Sequence, residues 1–356
     1  MPIPFIMLGA AAVAGAAGVT KGATAISSNS KADHMVKAAQ DACQQAQEAL
    51  EEQRAETTNK LETLGTIKLD IWSKEMHDFV QSFQSFKNVR MEGGPELNDR
   101  LRLQIENPDN LKNMEIASIK ASEITHAGIS ALGSGALAGI ASYGGAMMFA
   151  SASTGTAIAS LSGVAATNAT LAWFGGGSLA AGGLGMAGGT VVLGGIVAGP
   201  VLAVAGTLMK AKAEEKLANA RQIEAELEQT VEQLGVMTDF MKRVSALSVQ
   251  YTDFLVDFRR AFYQTLNEMR NIERTGRQKQ RWMSRNLQKT GTEKIDFNAL
   301  SDAEQKKLHQ AWLMAQVLYS VLTATLLTEG GEIDPGAATA LQDAKTACPM
   351  ENVWGL

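Results

Sequence analysis

The sequence predicts an all-α protein in which long paired coiled-coil-like helices carry an inserted glycine-rich hydrophobic hairpin. Three observations lead there. Two proline-free stretches, residues 31–86 and 210–274, repeat apolar residues at three- and four-residue steps, the spacing of a helical seam. Between them, Ile124 to Met209 is a run of 86 residues without one Asp, Glu, Lys or Arg. That run also holds 20 of the chain's 34 glycines. An ordinary soluble domain places charge on its solvent-facing positions, so this block either enters a bilayer or is wrapped by the rest of the chain.

Residues 1–30 read as an apolar N-terminal arm. The first charge is Lys21, no basic segment precedes the apolar run, and Pro2 and Pro4 stand at its start. The pattern favours a retained arm over a cleaved signal, with Ala14, Gly18 and Gly22 spaced for close helix packing.

Residues 31–123 form the first part of a helical stalk. Val36, Ala39, Cys43, Ala46 and Leu50 set a seam that Leu61 and Leu64 resume. The face then grows bulkier through Trp72, Met76, Phe79, Val80, Phe83 and Phe86. Gly93-Gly94-Pro95 and Asn107-Pro108 are turn signals, marking a connector with a short helix between Glu96 and Ile105. Helix resumes near Leu111 and runs into the uncharged block.

Residues 210–274 form the second part of the stalk. Leu217, Ala220, Leu227, Leu234, Met241, Tyr251, Phe254, Phe258, Phe262 and Leu266 fall mainly on one face. In both stalk helices the aromatic end lies away from the uncharged block, so the two are expected to pack lengthwise.

Residues 275–356 hold a basic segment, a C-terminal helix and a tail. From 270 to 294 there are eight Lys or Arg against Glu273 and Glu293. Ser301-Asp302-Ala303-Glu304 is a capping box that opens the last helix. That helix is uncharged from Leu308 to Thr328 and is expected to end at Gly330-Gly331. Gln310, Gln316, Ser320, Thr323 and Thr325 recur through it, which suits a buried bundle helix better than a membrane span. No structure is predicted for the polar tail from Asp334.

The uncharged block, residues 124–209, is the candidate membrane-inserting hairpin. At about 20 helical residues per crossing it suffices for two to four passes. Gly128–Ala150 and Thr190–Met209 are the best spans, with the more polar Ser151–Phe174 between them. The pairs Gly135 and Gly139, Gly185 and Gly189, and Gly195 and Gly199 let helix backbones approach closely. Ala138 and Val197 lie where an introduced charge should oppose insertion. Lys112 and Lys120 before the block, and Lys210 and Lys212 after it, place both ends on one face and make the number of crossings even. Glycine and alanine contribute little transfer free energy. Conditional insertion is therefore favoured over a constitutive hairpin or a block that never meets lipid. Arg277, Lys279, Arg281, Trp282, Arg285 and Lys289 are candidates for anionic headgroups. The alternative is that they solvate a helix end or pair with Glu224, Glu226 and Glu228.

The run Ala165–Gly206 resembles a glycine-rich module of bacterial proteins that have no established mechanism, and Leu64–Asn88 resembles the segment leading into it. The architecture is also similar to α-helical pore-forming toxins of the cytolysin A and tripartite haemolysin type, and to apolipoprotein L-like proteins. These resemblances imply a helical protein with a membrane-facing hairpin and transfer no residue-level mechanism.

Other chemistry finds little footing. A net charge of -5 disfavours nucleic acid. Cys43 and Cys348 share no metal or redox spacing. Gly183-Leu184-Gly185-Met186-Ala187-Gly188 matches a dinucleotide fingerprint but lacks the preceding strand and the later acid. His34, His77, His126 and His309 are scattered; His126 alone sits where protonation would add charge beside the block. No local motif assembles an enzyme active site, and no cofactor or small-molecule substrate is expected. The expected partners are a lipid bilayer and either a second copy or another helical protein. The expected function is to permeabilise or remodel a bilayer, as a toxin or defence effector. The alternative is a non-lytic, membrane-anchored coiled-coil scaffold that recruits partner proteins. The expected setting is the bacterial cytoplasm in the soluble form and the membrane when active, with secretion left open.

Overall fold

The computed structural model describes residues 24–89, 110–127, 137–142, 213–287, 294–328 and 332–348. The fold is all-α with long helices. Helix α1 (Thr24–Ile71) passes through one π-turn (Trp72–Met76) into α2 (His77–Phe83); α3 is Asn110–Ala127 and α4 is Ala213–Leu287. Near the C-terminus lie α5 (Asp302–Thr323) and α6 (Pro335–Ala347). Two short strands, β1 (Phe86–Lys87) and β2 (Ile295–Asp296), pair in parallel with Phe86 opposite Ile295.

The chain divides into two compact units: Met1–Leu50 with Val197–Val236, and Glu51–Ile196 with Met237–Leu356. In the first, Ala32 and Val36 of α1 close on Ala220 of α4, with Ile223 alongside. Cys43, Leu50, Leu227 and Leu234 continue the two buried rows at heptad spacing.

In the second unit the heptad rows run on. Thr57, Leu64 and Ile71 of α1 are buried, as is a companion row of Leu61, Lys68 and Glu75. On α4 the buried rows are Met241, Ser248, Leu255, Phe262 and Met269, and Val244, Tyr251, Phe258, Thr265 and Ile272. The pairs between these helices keep a nearly constant separation in sequence. Thr57 Oγ1 donates to the Met241 carbonyl at 184 residues' separation, Arg259 Nε to Glu75 at 184 and Ser82 Oγ to Glu273 at 191. A constant offset means that the helices run parallel, and the lengthwise packing expected from their seams is present here.

The π-turn has an identifiable consequence. A strict heptad from Ile71 and Glu75 would bring Asp78 and Ser82 to the core rows. One extra residue in the turn advances the phase, so Phe79 takes the place of the half-buried Asp78, and Phe83 is buried beside Ser82. Phe83 stacks on Trp312 of α5 at 5.0 Å between centroids, and Phe79 lies 5.9 Å from Phe262. Such pairs contribute about 0.5–1.5 kcal/mol beyond their buried area. Helix α3 packs on the π-turn and α2, and α6 packs on α5.

Several expectations are corrected. Helix α4 reaches Leu287, so most of the basic segment is the end of that helix and not a separate element. The capping box at Ser301 is formed as predicted, but α5 stops at Thr323 and not at the glycine pair. The chain leaves the helix at Ala324 because tertiary partners take over its polar groups there. The tail from Asp334 is not unstructured: Asp334 caps α6 by accepting from the Gly336 amide at 2.7 Å, with Pro335 pre-set for the first turn. The expected helix at 96–105 and residues 1–23 of the apolar arm lie outside the described residues.

Candidate functional site

The uncharged block begins in the last turn of α3, where Ile124 is buried, and meets the folded helices again through residues 137–142, a helical stretch of the second unit. Ala138, Gly139, Ile140, Ala141 and Ser142 are all buried there. Its seat is made by α1. Gly65 lies so close to the backbone of Leu137 that a Cβ added at Gly65 would stand 2.0 Å from the Leu137 carbonyl oxygen. Only glycine permits that approach.

One turn further along α1, Lys68 is fully buried. Its Nζ donates to the Ala141 carbonyl at 3.2 Å and to the Ala324 carbonyl at 3.1 Å, and lies 5.4 Å from the centre of the Tyr251 ring. Ala324 is the C-cap of α5, where a cation meets the negative end of the helix dipole. Burial lowers the Lys68 amine from the ordinary lysine range to about 7. The backbone finishes the junction: the Leu326 and Leu327 amides both donate to the Ser142 carbonyl, at 2.6 and 3.2 Å.

Beneath this junction Tyr251 is held in turn. Its hydroxyl donates to the Ala337 carbonyl at 2.7 Å. Burial, with the Asp334 charge added, pushes the phenol above its usual range. Thr325 donates to Asp334, and the Asp334 amide donates to the Leu326 carbonyl at 2.9 Å. Residues 324–328 and 332–334, the start of α6 and residues 137–142 thus share one continuous set of hydrogen bonds.

A second polar cluster lies at the π-turn. Arg259 of α4 binds Asp70 through Nη2 at 2.7 Å and Glu75 through Nε at 2.8 Å, and Lys74 binds Asp70 at 2.6 Å. Burial opposes ionisation of Asp70, yet Lys74 and Arg259 outweigh it and hold the carboxyl below its usual range. The second oxygen of Glu75, Oε2, is buried without a hydrogen-bond partner. The cluster ties α1 to α4. Among the described residues no group of three or more His, Cys, Asp or Glu is placed to hold a metal ion.

The predicted headgroup residues divide. Arg277 binds Glu273 of its own helix at 2.9 Å and donates to Ser85 Oγ at 2.8 Å, so it fastens α4 to the end of α2 and pairs with none of the acids at 224–228. Glu273 also accepts from Ser82 and Ser85. These bonds and Arg277 overcome its burial and keep its carboxyl low. Gly276 makes room for Ile295 of β2, and Gln280 donates to the Lys294 carbonyl at 3.3 Å. Lys279, Arg281 and Trp282 face solvent, Trp282 at 70 % exposure. Arg285 lies on α4, its side chain outside what is described, and Lys289 is outside the described residues.

Of the predicted hairpin residues, Ala138 and Gly139 sit in the core of the second unit. Gly135, Gly185, Gly189, Gly195, Val197 and Gly199 lie outside the described residues. Among the described residues no helix is long and apolar enough to cross a membrane. Sequence reasoning missed Lys68, Glu75 and Arg259. The signal was present for the first two: continuing the seam one and two heptads beyond Leu61 lands on Lys68 and Glu75, charges at core positions.

Comparisons with family models, with curated proteins and with solved structures gave no match to this chain.

Proposed function

We propose that the chain is a membrane-active helical protein that keeps a glycine-rich block beside a folded helical body and inserts it to permeabilise or remodel a bilayer. The toxin or defence roles implied by the sequence resemblances belong to this reading. The observation that carries it is the block itself. No Asp, Glu, Lys or Arg occurs from Ile124 to Met209, and such a stretch left bare on a soluble protein would exceed the apolar patch that monomers tolerate. Burial of Ala138, Gly139, Ile140, Ala141 and Ser142 supports concealment of this part of the block in the soluble form. On α4, exposed Trp282 stands beside Lys279 and Arg281 and offers an interfacial aromatic with cationic neighbours.

The reading is tested by dye release from anionic vesicles, with binding followed by flotation. Val197→Asp is the informative substitution. Asp at Ala138 would also place a charge in the folded core and so confound two effects. A charge at the centre of a span costs roughly 2.5–3.5 kcal/mol on insertion scales. Val197→Asp should therefore reduce release at least tenfold while leaving the melting transition in place. Flotation without release by the parent chain would favour the anchored scaffold; equal release by parent and variant would contradict the insertion of this block.

A further inference from the structure

We propose that Lys68 is a latch: by bridging the carbonyls of Ala141 and Ala324 it holds residues 137–142, a docked stretch of the uncharged block, on the helical core, and opening this bridge frees that stretch as a unit. Little apolar surface holds the stretch down. Ala138, Gly139, Ala141 and Ser142 offer little apolar area, leaving Leu137 and Ile140 as the large side chains. The remaining attachment is polar: two bonds from Lys68 and Leu326 to the carbonyls of Ala141 and Ser142, and a third from Leu327. The Ser142 hydroxyl is buried without a partner, a defect that weakens the seat.

Residue 68 is an unusual choice for its position. Its place in the heptad row, one repeat beyond Leu61, is one that an apolar side chain would fill at lower cost. A buried ammonium without a carboxylate is expensive, and here two carbonyl dipoles and the Tyr251 ring face compensate it. All three partners depend on position: Ala141 on the docked stretch, Ala324 on the end of α5, and Tyr251 on its bond to Ala337. If residues 137–142 depart, Lys68 loses one carbonyl and gains access to water, which it prefers. The lysine therefore favours the closed state through geometry and the open state through hydration, as a releasable fastening requires. An apolar residue in its place would offer no donor to either carbonyl and would leave the Ala141 oxygen without this tie to the core.

The latch is tested without lipid, by hydrogen exchange on the full chain. In Lys68→Met, exchange across 137–142 and at the Leu326 and Leu327 amides should accelerate more than tenfold, while residues 311–318 within α5 change less than twofold. Unchanged exchange at 137–142, or equal acceleration in α5, overturns the proposal. The unsubstituted chain gives an independent reading should the variant fail to fold. There, 137–142 should exchange together with Leu326 and Leu327, at least tenfold faster than 311–318; exchange of all of them only through global unfolding overturns the latch. Its purpose, though not its existence, rests on the membrane reading, and vesicles separate the two. Faster exchange in Lys68→Met with no gain in dye release from anionic vesicles upholds the latch and removes the membrane role.

Discussion

The same two helices, α1 and α4, pair in both compact units, yet what they bury differs sharply. In the first unit the contact is a thin seam without aromatic residues, Ala32, Val36, Cys43 and Leu50 on α1 and Ala220, Leu227 and Leu234 on α4, with Ile223 at its margin. In the second the rows carry Trp72, Phe79, Tyr251, Phe258 and Phe262, and α2, α3, α5 and α6 add further side chains to the core. The heptad pattern sets which faces meet, whereas side-chain size and added layers set how firmly they hold. Stability is thus expected to concentrate in the second unit, with helix pairing in the first opening at lower cost.

The largest effect should come from the aromatic core. Trp312 lies within 5.0 Å of Phe83 and 6.3 Å of Phe79 between ring centroids. Trp312→Ala should destabilise the second unit by about 3–5 kcal/mol in a denaturant melt. Trp312→Phe should cost far less, because it keeps most of the packing and removes an indole nitrogen that is buried without a partner. Similar losses for the two variants would show that the aromatic core is not what distinguishes the units.

The next effect is a pH dependence that belongs to the second unit. The Lys68 amine titrates near 7 in the folded chain and near its ordinary value of 10.5 when unfolded. Between these values the unfolded chain binds more protons, so stability rises with pH; below 7 the contribution from this group is flat. From pH 7 to 9 the gain should be about 2 kcal/mol, and it should vanish in Lys68→Met. Above 9 the buried thiol of Cys348, pushed up to about 11 by burial, acts in the opposite direction. A melt that is level from pH 7 to 9 in the parent chain would place the Lys68 amine elsewhere.

The smallest effect should come from the first unit. Val36→Ala removes a small part of a thin seam and should cost about 1 kcal/mol, read as faster amide exchange in residues 32–50 and 220–234. Exchange in residues 311–318 should be unaffected. Equal loss of protection in both regions would mean that the two units open together.

Much of this fold was legible because helix pairing is written in local periodicity. The apolar rows of α1 and α4, the capping box at Ser301 and the aromatic ends of the two helices are all visible as spacing. What periodicity could not show depends on contacts between residues far apart in sequence. The phase shift at Trp72–Met76 leaves no mark in the spacing, and the early end of α5 follows from Lys68 and Ser142 reaching residues 324–327. The β1–β2 pair involves only two residues on each side, too few for an alternating pattern. Arg277 looks like a free cation in the sequence because spacing does not reveal Ser85 across the helix pair. Lys68 is the instructive case: the heptad row beyond Leu61 predicts a core position there, and the exception in the row marks the candidate site.

The central claim is that the uncharged block, and not the helical body, carries the membrane contact. The most direct measurement is vesicle flotation of the full chain beside a variant in which residues 143–209 are replaced by a long Gly/Ser linker, leaving 137–142 in place. The account predicts that the full chain floats with anionic vesicles, whereas the linker variant remains at the bottom and melts like the parent. Equal flotation of the two, with the variant still folded, would move the membrane contact to the helices and contradict the account.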